Sequence, residues 1–191
     1  MTDVPPGDRP GGPRVTVRPA TAGEVHALVA LIESAYRGDE SRRGWTTEAD
    51  LVAGPRTDHD EVARAVAGSQ SCLLVAERDA TLVGCCRLAV VGPAVAELGM
   101  FAVRPGLQGA GLGRRMMAEA EAEVGRRWGA ATMRLLVISQ RAELIAWYRR
   151  LGYRPTGQSA LFADVAGHEP LVPGLRFAVL EKQIAPEVDR R

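Results

Sequence analysis

Three glycines in five positions, Gly109, Gly111 and Gly113, lie between an apolar, β-type run at 95–103 and an amphipathic helical pattern. Without Cβ atoms such a turn bends tightly and brings successive backbone N–H groups close to an anion, and the helix that follows adds the positive end of its dipole. A strand, a glycine turn and a helix in immediate succession therefore suit a pyrophosphate group. Spacing narrows the choice. A dinucleotide fingerprint, G-x-G-x-x-G, fails because its last position falls on Arg114 when counted from Gly109 and on Met116 when counted from Gly111. A Walker loop fails because Lys182 is the only lysine and no Gly-Lys-Ser/Thr occurs. What remains is Gln108-x-x-Gly111-x-Gly113 behind a strand ending in Ala102-Val103.

The rest of the chain alternates helix and strand patterns. Val15-Thr16-Val17-Arg18 reads as a short strand, and Thr21-Ala22-Gly23-Glu24 is a capping box ahead of Val25, Leu28, Val29, Ile32 and Tyr36, whose spacing predicts a helix to about Arg37. Residues 38–59 are polar and irregular, with a short helix expected from 46 or 47 through 52. A further helix is expected over 60–67. Runs at 71–77 and 82–91, joined by Arg78-Asp79-Ala80-Thr81, predict a hairpin, and a third strand spans 95–103. After the glycine turn, Leu112, Met116, Ala120, Val124 and Trp128 share one helix face, with Arg115–Glu119 and Glu123–Arg127 as charge pairs opposite. Residues 132–138 form a nearly continuous apolar strand, expected at a sheet centre covered on both faces. A helix over 141–151 stops at Gly152, and 153–158 with 175–182 supply a late strand pair.

A length of 191 residues with 46% hydrophobic content suits one α/β domain at 14–184, between a disordered tail at 1–13 and a short C-terminal tail at 185–191. A net charge of +1 gives no argument for nucleic acid or an acidic membrane, and no apolar run approaches the length of a bilayer span. Cys72, Cys85 and Cys86 are an odd set with the last two on opposite faces of a strand, which argues against disulfides and for a reducing cytoplasm.

The Gln108-x-x-Gly111-x-Gly113 turn resembles the acetyl-CoA loop of the GNAT superfamily of acyl-CoA-dependent N-acyltransferases. A second segment, Val137-Ile138-Ser139 through the Trp147-Tyr148-Arg149-Arg150-Leu151-Gly152-Tyr153 run, is similar to that family's strand-then-helix motif ending in aromatic-Tyr-x-x-x-Gly-Phe/Tyr. The similarity spans about 15–184 and departs at Arg141, where many members carry an asparagine that helps hold the cofactor. The resemblance implies a central mixed, mostly antiparallel sheet, splayed at the acetyl-CoA site, with helices on both faces. It implies acetyl-CoA as co-substrate, a primary amine, of a small molecule, as acceptor, and direct transfer in a ternary complex. Acetylation of protein lysines or N-termini and a non-catalytic CoA-binding module are the competing readings, and a homodimer is left open.

For the site, the loop residues Gln108, Gly109, Ala110, Gly111, Leu112, Gly113 and Arg114 are expected on the pyrophosphate. By resemblance Phe101, Ala102 and Val103 act on the pantetheine arm through main-chain groups. Tyr148 matches the family tyrosine that protonates the departing CoA sulfur, the alternative being a core tyrosine packed beside Trp147. The acceptor amine is the energetic obstacle. At a lysine-like pKa of about 10.4, roughly one molecule in a few thousand is neutral at pH 7, a handicap of about 4–5 kcal/mol. Glu97 stands on the cofactor strand where several family members place a general base, and it reads equally well as a half-exposed glutamate paired with an arginine. Trp147 reads as core, and Trp45 either lines a pocket or pins its loop. The acceptor pocket is expected from 36–59 and 159–174. His26, His59 and His168 are isolated and no metal-binding spacing occurs, so no metal is expected. Asp58-His59-Asp60-Glu61 reads as a solvated helix start and Ser139 as a helix cap.

Overall fold

The computed structural model describes residues 14–162 and 168–184; both expected tails lie outside them. In chain order the elements are β1 (Val15–Pro19), a 3-10 turn (Ala22–Glu24), α1 (Val25–Tyr36), α2 (Gly38–Ser41), β2 (Val52–Ala53), α3 (His59–Ala67), β3 (Ser71–Arg78), β4 (Thr81–Gly92) and β5 (Val95–Val103). They continue with α4 (Leu112–Trp128), β6 (Thr132–Ile138), α5 (Ala142–Arg150), β7 (Arg154–Leu161), β8 (Glu169–Pro170) and β9 (Arg176–Gln183). Seven strands form one sheet in the order β1-β3-β4-β5-β6-β9-β7, and β2 and β8 make a separate two-stranded ribbon.

Local chemistry accounts for the joints. The Glu24 carboxylate accepts from the Thr21 N–H at 2.8 Å and from its hydroxyl at 2.9 Å, closing the turn that leads into α1. Asp79 and Ala80 both take positive φ, 50° and 57°, the geometry of a two-residue hairpin loop whose twist matches the flanking strands. Asp58 caps α3 by accepting from the Glu61 N–H at 2.7 Å.

All neighbouring strands of the sheet are antiparallel except β5 and β6, which the crossover through α4 makes parallel. That pair is short. Val95 to Leu98 face Thr132 to Leu135, and beyond these four positions the strands part. Past the parting β5 pairs with β4 alone and β6 with β9 alone. A bulge sits at the same place: Gly99 opposes Arg87 and Ala102 opposes Cys85, so Met100 and Phe101 together face Cys86, with Met100 at φ 46°. An extra residue bends the bulged strand away from its path, here from β6.

Helices α4 and α5 cover one face, where Met116, Ala120, Val124 and Tyr148 join Leu88, Leu98 and Leu135 in the larger core. Helices α1 and α3 cover the other, where Leu28, Ile32 and Val62 meet Val75 and Met100. Cys86 belongs to the first core and Cys85 to the second, the opposite-face placement expected from their adjacency.

Four expectations fail locally. No helix forms over 46–52; turns lead instead into β2, because Thr47 turns back on the Ala49 N–H and the Ser41 hydroxyl while Glu48 is drawn inward by two arginines. Ser139 does not cap α5, whose N-cap is Arg141; its hydroxyl donates to the Arg176 carbonyl on β9. Glu123, read as an outer-face charge, is buried between Arg126 and Arg127. Leu136, in the middle of the apolar β6 run, is 40% exposed because the parting of the strands uncovers it.

Candidate active site

The parting of β5 from β6 leaves a cavity on each side of the sheet, and they share Tyr36, Phe101, Arg141, Leu144 and Tyr148. The first, about 340 Å³, includes the glycine turn: Gln108, Gly109, Gly111, Gly113 and Arg114 line it together with Val103. Gly109 and Gly111 stand at φ 83° and 84°, a left-handed backbone that side chains rarely adopt, and nothing lies within 4 Å of where a Cβ would project from either. No side chain caps α4, whose first helical bond runs from the Arg115 N–H to the Gly111 carbonyl. The earlier N–H groups of that turn are thus left toward the cavity, and Arg114 stands on its wall. Backbone donors, a helix dipole and a guanidinium converging on open space fit a pyrophosphate.

Of the residues expected there, Ala102 is buried in the core and can act only through its main chain, and Ala110 and Leu112 are not on the wall. The carbonyls on the open reach of β5 are partly engaged: Phe101 accepts from the Tyr36 hydroxyl at 2.9 Å, and Val103 from the Gln108 amide at 3.0 Å. The same Gln108 accepts from the Trp45 N–H at 3.0 Å, which fastens the loop after α2 to the glycine turn. A side chain at Gly44 would meet the Gln108 oxygen at 2.6 Å, so this approach depends on glycine. Trp147, read as core, in fact stacks on Phe101 at 6.0 Å, lies 6.4 Å from Trp45 and forms cavity wall. Trp45 lines the first cavity and not the second, and it is its main-chain N–H, bonded to Gln108, that fastens the loop.

The second cavity, about 280 Å³, opens on the α1 side. Glu97 and Tyr148 both reach it. Glu97 projects from the face opposite Leu98, with its carboxylate 3.6 Å from Arg87 on the neighbouring strand, so the arginine-paired glutamate weighed from sequence is present and stands inside the cavity. Tyr148 is buried in the larger core, yet it borders both cavities, and among the described residues its hydroxyl has no hydrogen-bond partner. Burial drives its pKa far above the ordinary value of 10.0, so the phenol keeps its proton. Burial likewise pushes Tyr36 up to about 12, consistent with its role as donor to Phe101.

Arg141 was the departure from the family pattern, and its side chain is the tie between α5 and the loop after α2. It donates to Glu48 at 2.7 Å and to the Thr46 hydroxyl at 2.8 Å, and Arg37 reaches the same Glu48 at 3.1 Å. All three charged side chains are about nine-tenths buried. Sequence reasoning missed this triad, because partners 11 and 93 residues apart leave no local pattern, and it reached Tyr36 and Arg56 only as members of the expected acceptor segment 36–59. The expected acceptor segments do contribute, through Glu48, Arg56, Phe162 and His168.

A parallel strand pair that parts beside an anion cradle and a charged cavity can hold two ligands against one shared wall. Residues 28–153 match the model of the acetyltransferase (GNAT) family. The chain belongs to the GNAT family of acetyltransferases, a class of acyltransferases. A curated relative, the mycothiol acetyltransferase of Beutenbergia cavernae, is 29% identical over 153 residues, 80% of this chain and 49% of that protein. The chain thus spans about half the length of the curated relative it matches. Among solved structures, the ribosomal-protein-S18-alanine N-acetyltransferase of Escherichia coli superposes with a TM-score of 0.67 at 18% identity, covering 93% of this chain and 99% of that one. An acetyltransferase of Salmonella typhimurium, solved with its cofactor acetyl-CoA, gives 0.63 at 22% identity over 91% and 98%. These likenesses show the same fold, the splayed mixed sheet expected from the sequence.

Proposed function

We propose that the protein moves an acetyl group from acetyl-CoA to the primary amine of a small molecule, directly, in a complex that holds both substrates. One observation carries this reading: the glycine-turn cavity and the cavity bearing Glu97 share a wall at Tyr148. The N–H groups at the start of α4 and Arg114 would hold the pyrophosphate, and the open reach of β5 would run beside the pantetheine arm. Acetyl-CoA supplies an acetyl group as a thioester. Glu97 accepts the amine proton, directly or through water, which offsets much of the cost of presenting a neutral amine. Tyr148 gives its proton to the leaving sulfur. A small acceptor is favoured because the second cavity is about 280 Å³ and takes walls from Phe162 and His168.

Thiol release from acetyl-CoA on a panel of primary amines tests the reading. The wild type is expected to turn over at least one small amine, with the acetylated amine as product. Tyr148→Phe keeps the ring and loses the acid, so its kcat should fall by about 10²–10⁴ with acetyl-CoA still bound. Equal turnover by the two proteins would return Tyr148 to a packing role.

A further inference from the structure

We infer that the acceptor carries a carboxylate, and that Arg56 on the wall of the second cavity selects for it. The inference rests on the proposed N-acetyl transfer and names the substrate class of that same site. Arg56 stands on the cavity wall with its guanidinium 5.0 Å from the centre of the Tyr36 ring, the ring whose hydroxyl holds the open reach of β5. Stacking on the ring fixes the plane of the guanidinium and leaves its N–H edge unspent. Among the described residues no carboxylate lies within ion-pair distance of it.

The neighbouring charges do not supply the missing partner. Glu97 is next to Arg87, and Glu48 is shared by Arg141 and Arg37, so one carboxylate there answers two buried cations. Glu61 accepts from the Thr57 hydroxyl at 2.7 Å and makes no ion pair among the described residues. Arg56, Arg87 and Arg141 stand on the cavity wall with Glu48, Glu61 and Glu97, and of these three arginines Arg56 is the one that has no carboxylate at ion-pair distance among the described residues. The position of Arg56 is built: its own N–H and that of Thr57 are both bonded to Glu33 on α1, and its carbonyl oxygen lies 3.2 Å from the His168 ring nitrogen. A single guanidinium fork matches one carboxylate through two parallel bonds. The amine of such a molecule would lie toward Glu97 and Tyr148, on the walls of the same cavity.

The test measures initial rates on α- and ω-amino acids, each against its own carboxamide, with the wild type, Arg56→Gln and Arg56→Lys. In the wild type the best free acid is expected to exceed its carboxamide by about tenfold to a hundredfold in kcat/KM, mostly through KM. That ratio should collapse toward one in Arg56→Gln and be partly kept in Arg56→Lys. Calorimetry with the N-acetylated acid and its amide, in the presence of CoA, should rank the two in the same order without turnover. Carboxamides used as well as acids by the wild type, or a ratio unmoved in Arg56→Gln, would overturn the inference while leaving N-acetyl transfer intact. Selective binding of the acids with no transfer to any amine would uphold the anion site and overturn the proposed function. Neither transfer nor selective binding would overturn both.

Discussion

A phenol that hands a proton to a departing thiolate must be protonated at the working pH, and burial secures this for Tyr148 by raising its pKa. Its companion has the opposite task. In the proposed transfer Glu97 takes a proton from an amine that is almost wholly charged at neutrality, and Arg87 stands 3.6 Å from its carboxylate in the cavity. Glu97→Gln keeps the bulk and removes the proton acceptor. Its kcat is expected to fall by about 10²-fold at pH 7 and to recover toward the wild type as the pH rises and more amine is already neutral. A pH–rate profile is the measurement, and an unaltered profile would assign the base to another group. Glu97 was legible as a strand glutamate, but its standing in the cavity was not, since that depends on β6 leaving its side. Arg56 was legible only as one arginine of the expected acceptor segment 36–59; its stacking on Tyr36, 20 residues away in an apolar helix pattern, was not.

At the scale of elements, the proposed pyrophosphate site depends on α4 beginning without a side-chain cap. Gly111 at φ 84° both opens the turn and leaves the space before the helix clear. Gly111→Val places a branched side chain in a left-handed backbone and fills the approach to the N–H groups. Calorimetry is expected to show CoA affinity reduced at least about tenfold in protein that still melts cooperatively, and unchanged affinity would move the pyrophosphate elsewhere. This element was readable from sequence because everything it needs is contiguous: an apolar strand, three glycines and a helical period. The loop between α2 and α3 was not. Its shape comes from Glu48 turning inward to Arg37 and Arg141, and from Gln108 holding the Trp45 N–H, contacts that override the helical tendency of 46–52.

For the whole molecule, the decisive feature is that two cavities meet at a four-position parallel contact between β5 and β6. The strands themselves were legible, because period-two and apolar runs mark them. Where the sheet divides was implied only by family likeness, since Gly99, just before the bulge at Met100 and Phe101, is the one local cue and does not by itself separate a bulge from an ordinary strand. In the proposed function, cavities that share Tyr148 let the acetyl group pass from donor to acceptor without an acetylated protein between them. The cysteines support this: Cys72, Cys85 and Cys86 are buried in the two cores, none lines either cavity, and burial raises all three thiols above their ordinary pKa. The most direct measurement is rapid mixing of the protein with acetyl-labelled acetyl-CoA, with and without a competent amine, followed by quenching and separation of protein from small molecules. Without amine the account predicts no burst of free CoA and no label on the protein, and with amine it predicts label only on the acetylated amine. A stoichiometric burst with one acetyl group retained on the chain in the absence of amine would contradict direct transfer.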